Sequence, residues 1–138
     1  LSWGYLVPKI SKNVSDAIKL LKFGAPLNLI VLAFIIYLGP KAGAYHWAFF
    51  AVSSVFLSLT QPAVGMAFSL SNAGKALTSF NLLLFIGAFT LQWIIGVIID
   101  LTMNLGYSEI SGFRFAMMFF LLTSFFSYLF FLIRNYKN

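Results

Sequence analysis

The chain has no cysteine, a single histidine (His46) and only three acidic residues, Asp16, Asp100 and Glu109, among 138 residues. The missing cysteines exclude a disulfide, a thiolate metal site and a thiol nucleophile. One histidine and three carboxylates are too few for a His-rich metal cluster or a Ser-His-Asp triad. No enzymatic activity, cofactor or metal is therefore expected. Charge of either sign is scarce. Only 9% of residues are charged, against 61% hydrophobic and 19% aromatic. A soluble domain of this size has more surface than so few charges can cover, so the composition indicates an integral membrane protein, all-α, with the lipid bilayer as its first partner.

What is present is a set of long apolar segments separated by charges and turn formers. The stretch "NLLLFIGAFTLQWIIGVIID", Asn81 to Asp100, would reach about 30 Å as a helix, the thickness of a bilayer's hydrocarbon core. Four such transmembrane helices are expected, at 17–38, 44–66, 81–100 and 113–133. Residues 1–7 read as the end of a preceding helix, 8–16 as a cytoplasmic loop and 134–138 as a cytoplasmic tail. Gly39, Pro40, Lys41 and Gly43 make a turn after the first span. Ser69, Ser71, Asn72, Gly74 and Lys75 read as a loop before the third. The basic run, Leu27–Leu38 and "AGA" at Ala42–Ala44 also have the order of a cleaved signal peptide, but three further spans follow.

The net charge of +6 then reads as topology rather than as affinity for nucleic acid. Lys9, Lys12, Lys19, Lys22, Lys75, Arg134 and Lys137 fall on one side of the four spans. Lys41 and Arg114 fall on the other, with Asp100 and Glu109. Basic residues are retained on the cytoplasmic side, so both termini are expected there, in a bacterial inner (plasma) membrane. Tyr37, Tyr45, His46 and Trp47 cluster at the outer boundary, where interfacial rings are favoured.

Between helices in lipid, small residues and hydrogen bonds drive packing, so protein-facing stripes should be small or polar. In the second span Ala51, Ser54, Ser58, Gln61 and Gly65 recur on one face, opposite Phe49, Val52, Phe56 and Leu59. Pro62 cannot donate to the carbonyl of Ser58, so a kink or local opening is expected there. The stripe suits either the wall of a polar cavity or interhelical glue. In the third span Asn81, Ala88, Gln92 and Gly96 share one sector. An unpaired amide in lipid costs several kcal/mol, so Gln92 should face protein or water. The fourth span is rich in phenylalanine and reads as peripheral. The first is mostly aliphatic, interrupted by Gly24, Pro26 and Asn28. No span carries an ionisable group near its middle, so this segment is not expected to bear a proton-coupling residue.

The run "GKALTSFN", Gly74 to Asn81, followed by a glycine-bearing span that closes on Ile99–Asp100, resembles the entry loop and eleventh helix of major facilitator superfamily transporters. "GYLVPKISKN" resembles a degenerate second copy of that family's cytoplasmic motif. Gly4, Lys9 and Lys12 are in register, but Pro8 replaces the aspartate, Ser11 the second glycine and Asn13 the last basic residue. Lys75 keeps a charge where the family often has arginine. The resemblance implies helices nine to twelve of a twelve-helix fold, within a six-helix half that rocks against the other about a midplane site. It further implies a peripheral first and fourth span, a cavity-lining second and an interfacial third.

The function expected is that of a C-terminal portion of a secondary transporter moving a small solute by alternating access, not competent alone. Its partner would be the missing N-terminal half or another membrane subunit. Ser54, Ser58, Gln61 and Gln92 are the substrate-cavity candidates. Pro62, Gly65, Asn81, Ala88 and Gly96 are the packing and kink positions. Two alternatives are a non-transporting membrane subunit and a small four-helix exporter acting as a dimer. Exporters of that kind depend on a glutamate in the first helix, which this chain lacks.

Overall fold

The computed structural model describes residues 13–136, so Gly4, Lys9 and Lys12 lie outside the described residues. Those described are almost wholly helical. Helix α1 is Val14–Leu38, α2 Ala44–Ser54, α3 Thr60–Ala67, α4 Leu70–Asn104 and α5 Glu109–Tyr136. A 3-10 stretch, Val55–Leu59, joins α2 to α3, so the two form one interrupted span. Counted with that join, four helical segments among the described residues are long and apolar enough to cross a membrane, as in a multi-pass helical membrane protein. Its outer surface is consistent with lipid: Phe23, Ile30, Phe85, Phe89, Trp93 and Phe130 are among many large apolar side chains left exposed.

The helix ends follow from local chemistry. Asn13 caps α1 by accepting the Asp16 N–H at 3.0 Å. The helix stops at Gly39, whose φ of 55° and ψ of −126° suit glycine alone, and Pro40 follows. His46 Nδ1 accepts the Gly43 N–H at 3.1 Å and closes the start of α2. Gly106, at φ 85°, turns the chain from α4 into α5. The α4 helix begins at Leu70 rather than Asn81. Ser69 sits extended at its N-cap, and its carbonyl accepts the N–H groups of Asn72 and Ala73. Ala73, Ala76 and Leu77 carry the helix through the segment expected as a loop, where Gly74 is too isolated to break it. The resulting 35 residues reach about 52 Å, well beyond the hydrocarbon core, so the first turns of α4 project past it or the helix tilts.

The first span is not peripheral within this unit. Helix α1 is the central helix and buries Ala17, Leu21, Gly24, Asn28, Val31, Leu32, Ile35 and Ile36 along one stripe. Its central place follows from contact on two sides, with α2–α3 on one and α5 on the other. Helix α4 packs on α5 and α3 and buries only Thr102. Close approach is set by small residues. A Cβ on Gly24 would overlap the Cβ and Cγ of Phe56. A Cβ on Gly112 would stand 3.4 Å from the Cα and carbonyl oxygen of Ile99. One turn on from Gly112, Ala116 is fully buried, so the pair forms a small-xxx-small contact.

Contacts along the helices fix the register. Phe34 lies beside His46, Asn28 beside Ser53 and Ser54, and Gly24 beside Phe56. Helix α5 runs antiparallel to α1: Arg114 donates to the Tyr37 carbonyl at 3.1 Å and Tyr128 to the Lys22 carbonyl at 2.8 Å. Gly65 meets Leu77 at the same end of the bundle as Lys22. Lys19, Lys22, Lys75 and Arg134 therefore gather at one end, and Lys41, Asp100, Glu109 and Arg114 at the other.

Candidate functional site

The polar centre of the bundle is Asn28, which lies about midway between the ends marked by Lys19 and Leu38. Its Nδ2 donates to Ser53 Oγ at 2.9 Å and Ser54 Oγ at 2.8 Å, with the Phe50 carbonyl oxygen at 3.4 Å. Both serine hydroxyls in turn donate to that carbonyl at 2.8 Å. With their protons so committed, the hydroxyls can only accept from Asn28. This fixes which end of the amide faces them. The node pins α1 to the last turn of α2, next to the 3-10 stretch.

Beside the node lies a partly open cavity of about 570 Å³ between α1, the α2–α3 span and α5. Asn28, Ser54, Thr60, Ser124, Ser127 and Tyr128 are its polar lining residues, and among the described residues no charged side chain lines it. The rest of the wall is aliphatic and aromatic, including Leu29, Phe50 and Phe120. Such a lining, mostly apolar with a few convergent polar groups, is the usual make-up of a small-molecule site.

The sequence-derived candidates separate in space. Ser54 lines this cavity and is half-buried. Ser58 and Gln61 are exposed. Gln61 lies five residues past Phe56, which brings it toward the level of Lys19 and away from the middle of the bundle. Gln92 is exposed on α4 and lines a second, largely apolar groove of about 540 Å³ between α4 and α5. The structure does not bring it together with Ser54. Pro62 is half-buried three residues beyond the 3-10 stretch, and a Cβ on Gly65 would stand 3.5 Å from Leu77 Cδ1. On α4, Asn81 is half-buried while Ala88 and Gly96 are exposed. Lys75 is exposed in the first turns of that helix.

Sequence reasoning missed Asn28, Thr60, Ser124, Ser127 and Tyr128 as site residues. A signal existed on α5. Ser124, Ser127 and Tyr128 stand at i, i+3 and i+4, a narrow polar face in a helix otherwise dominated by phenylalanine. Asn28 was visible as a break in an aliphatic run, but its partners lie 25 and 26 residues away and could not be read from spacing.

The geometry defines a membrane-spanning helical bundle with an amide-hydroxyl node near its middle, a neutral polar cavity beside it and a bare amide on its outer helix. Searches of protein-family models, curated proteins and solved structures found no match to this chain.

Proposed function

We propose that this chain forms part of the wall of a larger transmembrane solute transporter, built on the alternating-access plan of the major facilitator superfamily. One observation carries the reading: Gln92 is exposed near the middle of α4. The nearest fixed reference is the Ile99–Gly112 contact, from which Gln92 lies about two turns deeper. Among the described residues nothing hydrogen-bonds its amide. Lipid cannot satisfy that group, so in the working protein it meets water or a further helix. Ala88 and Gly96, one turn to either side, keep the same face small enough for a close neighbour. A polar face at this depth on an outer helix fits the lining of a translocation path between two helical bundles. The resemblance of Gly74–Asn81 to the corresponding family segment supports the same reading, with α4 at the interface between halves. Gathering of Lys19, Lys22, Lys75 and Arg134 at one end supports a cytoplasmic placement of that end.

The test uses the cysteine-free background. Gln92→Cys, expressed in cell membranes, should react with a charged, membrane-impermeant maleimide, whereas Phe89→Cys on the lipid side should react only with a lipid-soluble reagent. A Gln92→Cys thiol that resists the charged reagent but takes the lipid-soluble one would refute a water-facing wall.

A further inference from the structure

We infer that the cavity between α1, the α2–α3 span and α5 is a binding site for a small, uncharged molecule that carries both a hydrogen-bond donor and an acceptor on an aromatic or aliphatic body. Three observations lead there. The first is Asn28 Oδ1. Asn28 is only 7% exposed, and its Nδ2 is consumed by the two serines. Among the described residues no donor reaches Oδ1, yet no buried side-chain atom is left both sealed and unpaired. Asn28 lines the cavity, so Oδ1 can serve there as an acceptor, held by a node that orients the amide.

The second observation is the state of the hydroxyls. Ser124 and Ser127 make no hydrogen bond among the described residues, although a helical serine in lipid commonly returns its proton to a carbonyl one turn back. Both line the cavity, with no proton committed among the described residues. Tyr128 and Thr60 have spent their protons on the carbonyls of Lys22 and Leu57 and retain lone pairs. The wall thus offers donors from α5 and acceptors from α1 and the α2–α3 span, so a ligand with both functions can bridge them.

The third observation is charge. Among the described residues no Lys, Arg, Asp, Glu or His lines the cavity, so an ion placed there would be desolvated with none of these side chains as counter-charge. The site should therefore discriminate by formal charge, and primary amides and alcohols with an apolar body fit it best. None of the lining residues belongs to α4, so this inference does not depend on the exposed Gln92.

The experiment places the full chain in phosphatidylcholine nanodiscs and follows 5-fluoroindole-3-acetamide by fluorine NMR. Two probes of matched shape serve as controls: 5-fluoroindole-3-acetate as the anion and 5-fluorotryptamine as the cation. Saturable broadening of the amide is expected, with the charged probes binding at least tenfold more weakly. Ser124→Ala combined with Ser127→Ala should weaken the amide about tenfold while leaving the unfolding midpoint unchanged, because neither hydroxyl supports the fold. Ala25→Leu, which fills the cavity from α1, should weaken it further. Non-saturable partitioning into the disc, equal binding of a charged probe, or an amide affinity indifferent to the double alanine would each overturn the site. Gln92→Cys labelling is read on another helix, so either result can fail without the other.

Discussion

Replacing Tyr128 by phenylalanine removes one hydroxyl and keeps the ring, and its cost should depend on a residue of α1, at the far end of the sequence. Pro26 lies inside α1 and has no N–H, so the carbonyl of Lys22, four residues earlier, lacks its intrahelical donor. Tyr128 Oη supplies that donor from α5 at 2.8 Å. In a membrane no water replaces it, and an orphaned carbonyl costs about 1–3 kcal/mol, although single interhelical hydrogen bonds in membrane bundles measure about 0.6 kcal/mol on average and about 1.7 at most. A loss of about 1 kcal/mol is expected for Tyr128→Phe, close to a fivefold change in the folding equilibrium. Pro26→Ala restores an N–H to the Lys22 carbonyl, so in that background the Tyr128→Phe cost should fall to a few tenths of a kcal/mol. The double-mutant cycle is read from reversible unfolding in mixed micelles by tryptophan fluorescence. If Tyr128→Phe costs the same with and without Pro26, the hydroxyl is not serving the proline-freed carbonyl and the argument fails.

Two further stability measurements follow. Gly24→Ala forces a Cβ into the backbone-proximal atoms of Phe56, which cannot swing away as a side-chain tip could. The α1–3-10 contact must open, with a loss of about 1–3 kcal/mol in the same unfolding assay; an unchanged midpoint would mean that the two segments are not in register. Asn28→Leu removes an amide but leaves Ser53 and Ser54 bonded to the Phe50 carbonyl. Ser53→Ala with Ser54→Ala instead strips the buried amide of both its short acceptors. The double-serine variant should therefore lose more stability than Asn28→Leu, by about 1 kcal/mol or more, and the reverse order would contradict the assigned amide orientation.

The number and rough position of the membrane-crossing segments were legible because each is set by a local property, a run of apolar residues long enough for a bilayer. The start of α4 was not. Ser71, Asn72, Gly74 and Lys75 have loop-like chemistry, but polar residues in a helix that projects beyond the hydrocarbon violate no rule. The arrangement of the four segments was less legible still. Polarity pointed to α2–α3 and α4 as the covered helices, whereas α1, the more aliphatic one, is central. In lipid an aliphatic face is equally content against lipid or protein, so hydropathy carries no signal about which helix is inside. Gly24 and Asn28 carried that signal as the glycine and the one polar member of one buried α1 stripe, and each is meaningful only with its distant partner.

The two interior prolines show how the same constraint is met in two ways, and this changes the meaning of the hydroxyl stripe on the second span. At Pro26 the freed carbonyl is served from outside, by Tyr128 on another helix. Around Pro62 the span serves itself. The backbone tightens into the 3-10 stretch Val55–Leu59, and nearby hydroxyls turn back onto its carbonyls: Ser53 and Ser54 onto Phe50, Ser58 onto Val55 at 2.7 Å and Thr60 onto Leu57 at 2.8 Å. Four hydroxyls within eight residues are thereby bound to their own backbone, which is how a non-helical segment becomes tolerable at membrane depth. Ser58, which helical spacing alone groups with Gln61 as a cavity wall, has its proton committed to this local work. Among the hydroxyls that line the cavity, those with protons still to give are Ser124 and Ser127, on α5, which has no interior proline. The polar groups of the α2–α3 span thus mainly hold up its break, whereas on α5 Ser124 and Ser127 line the cavity with no proton committed among the described residues.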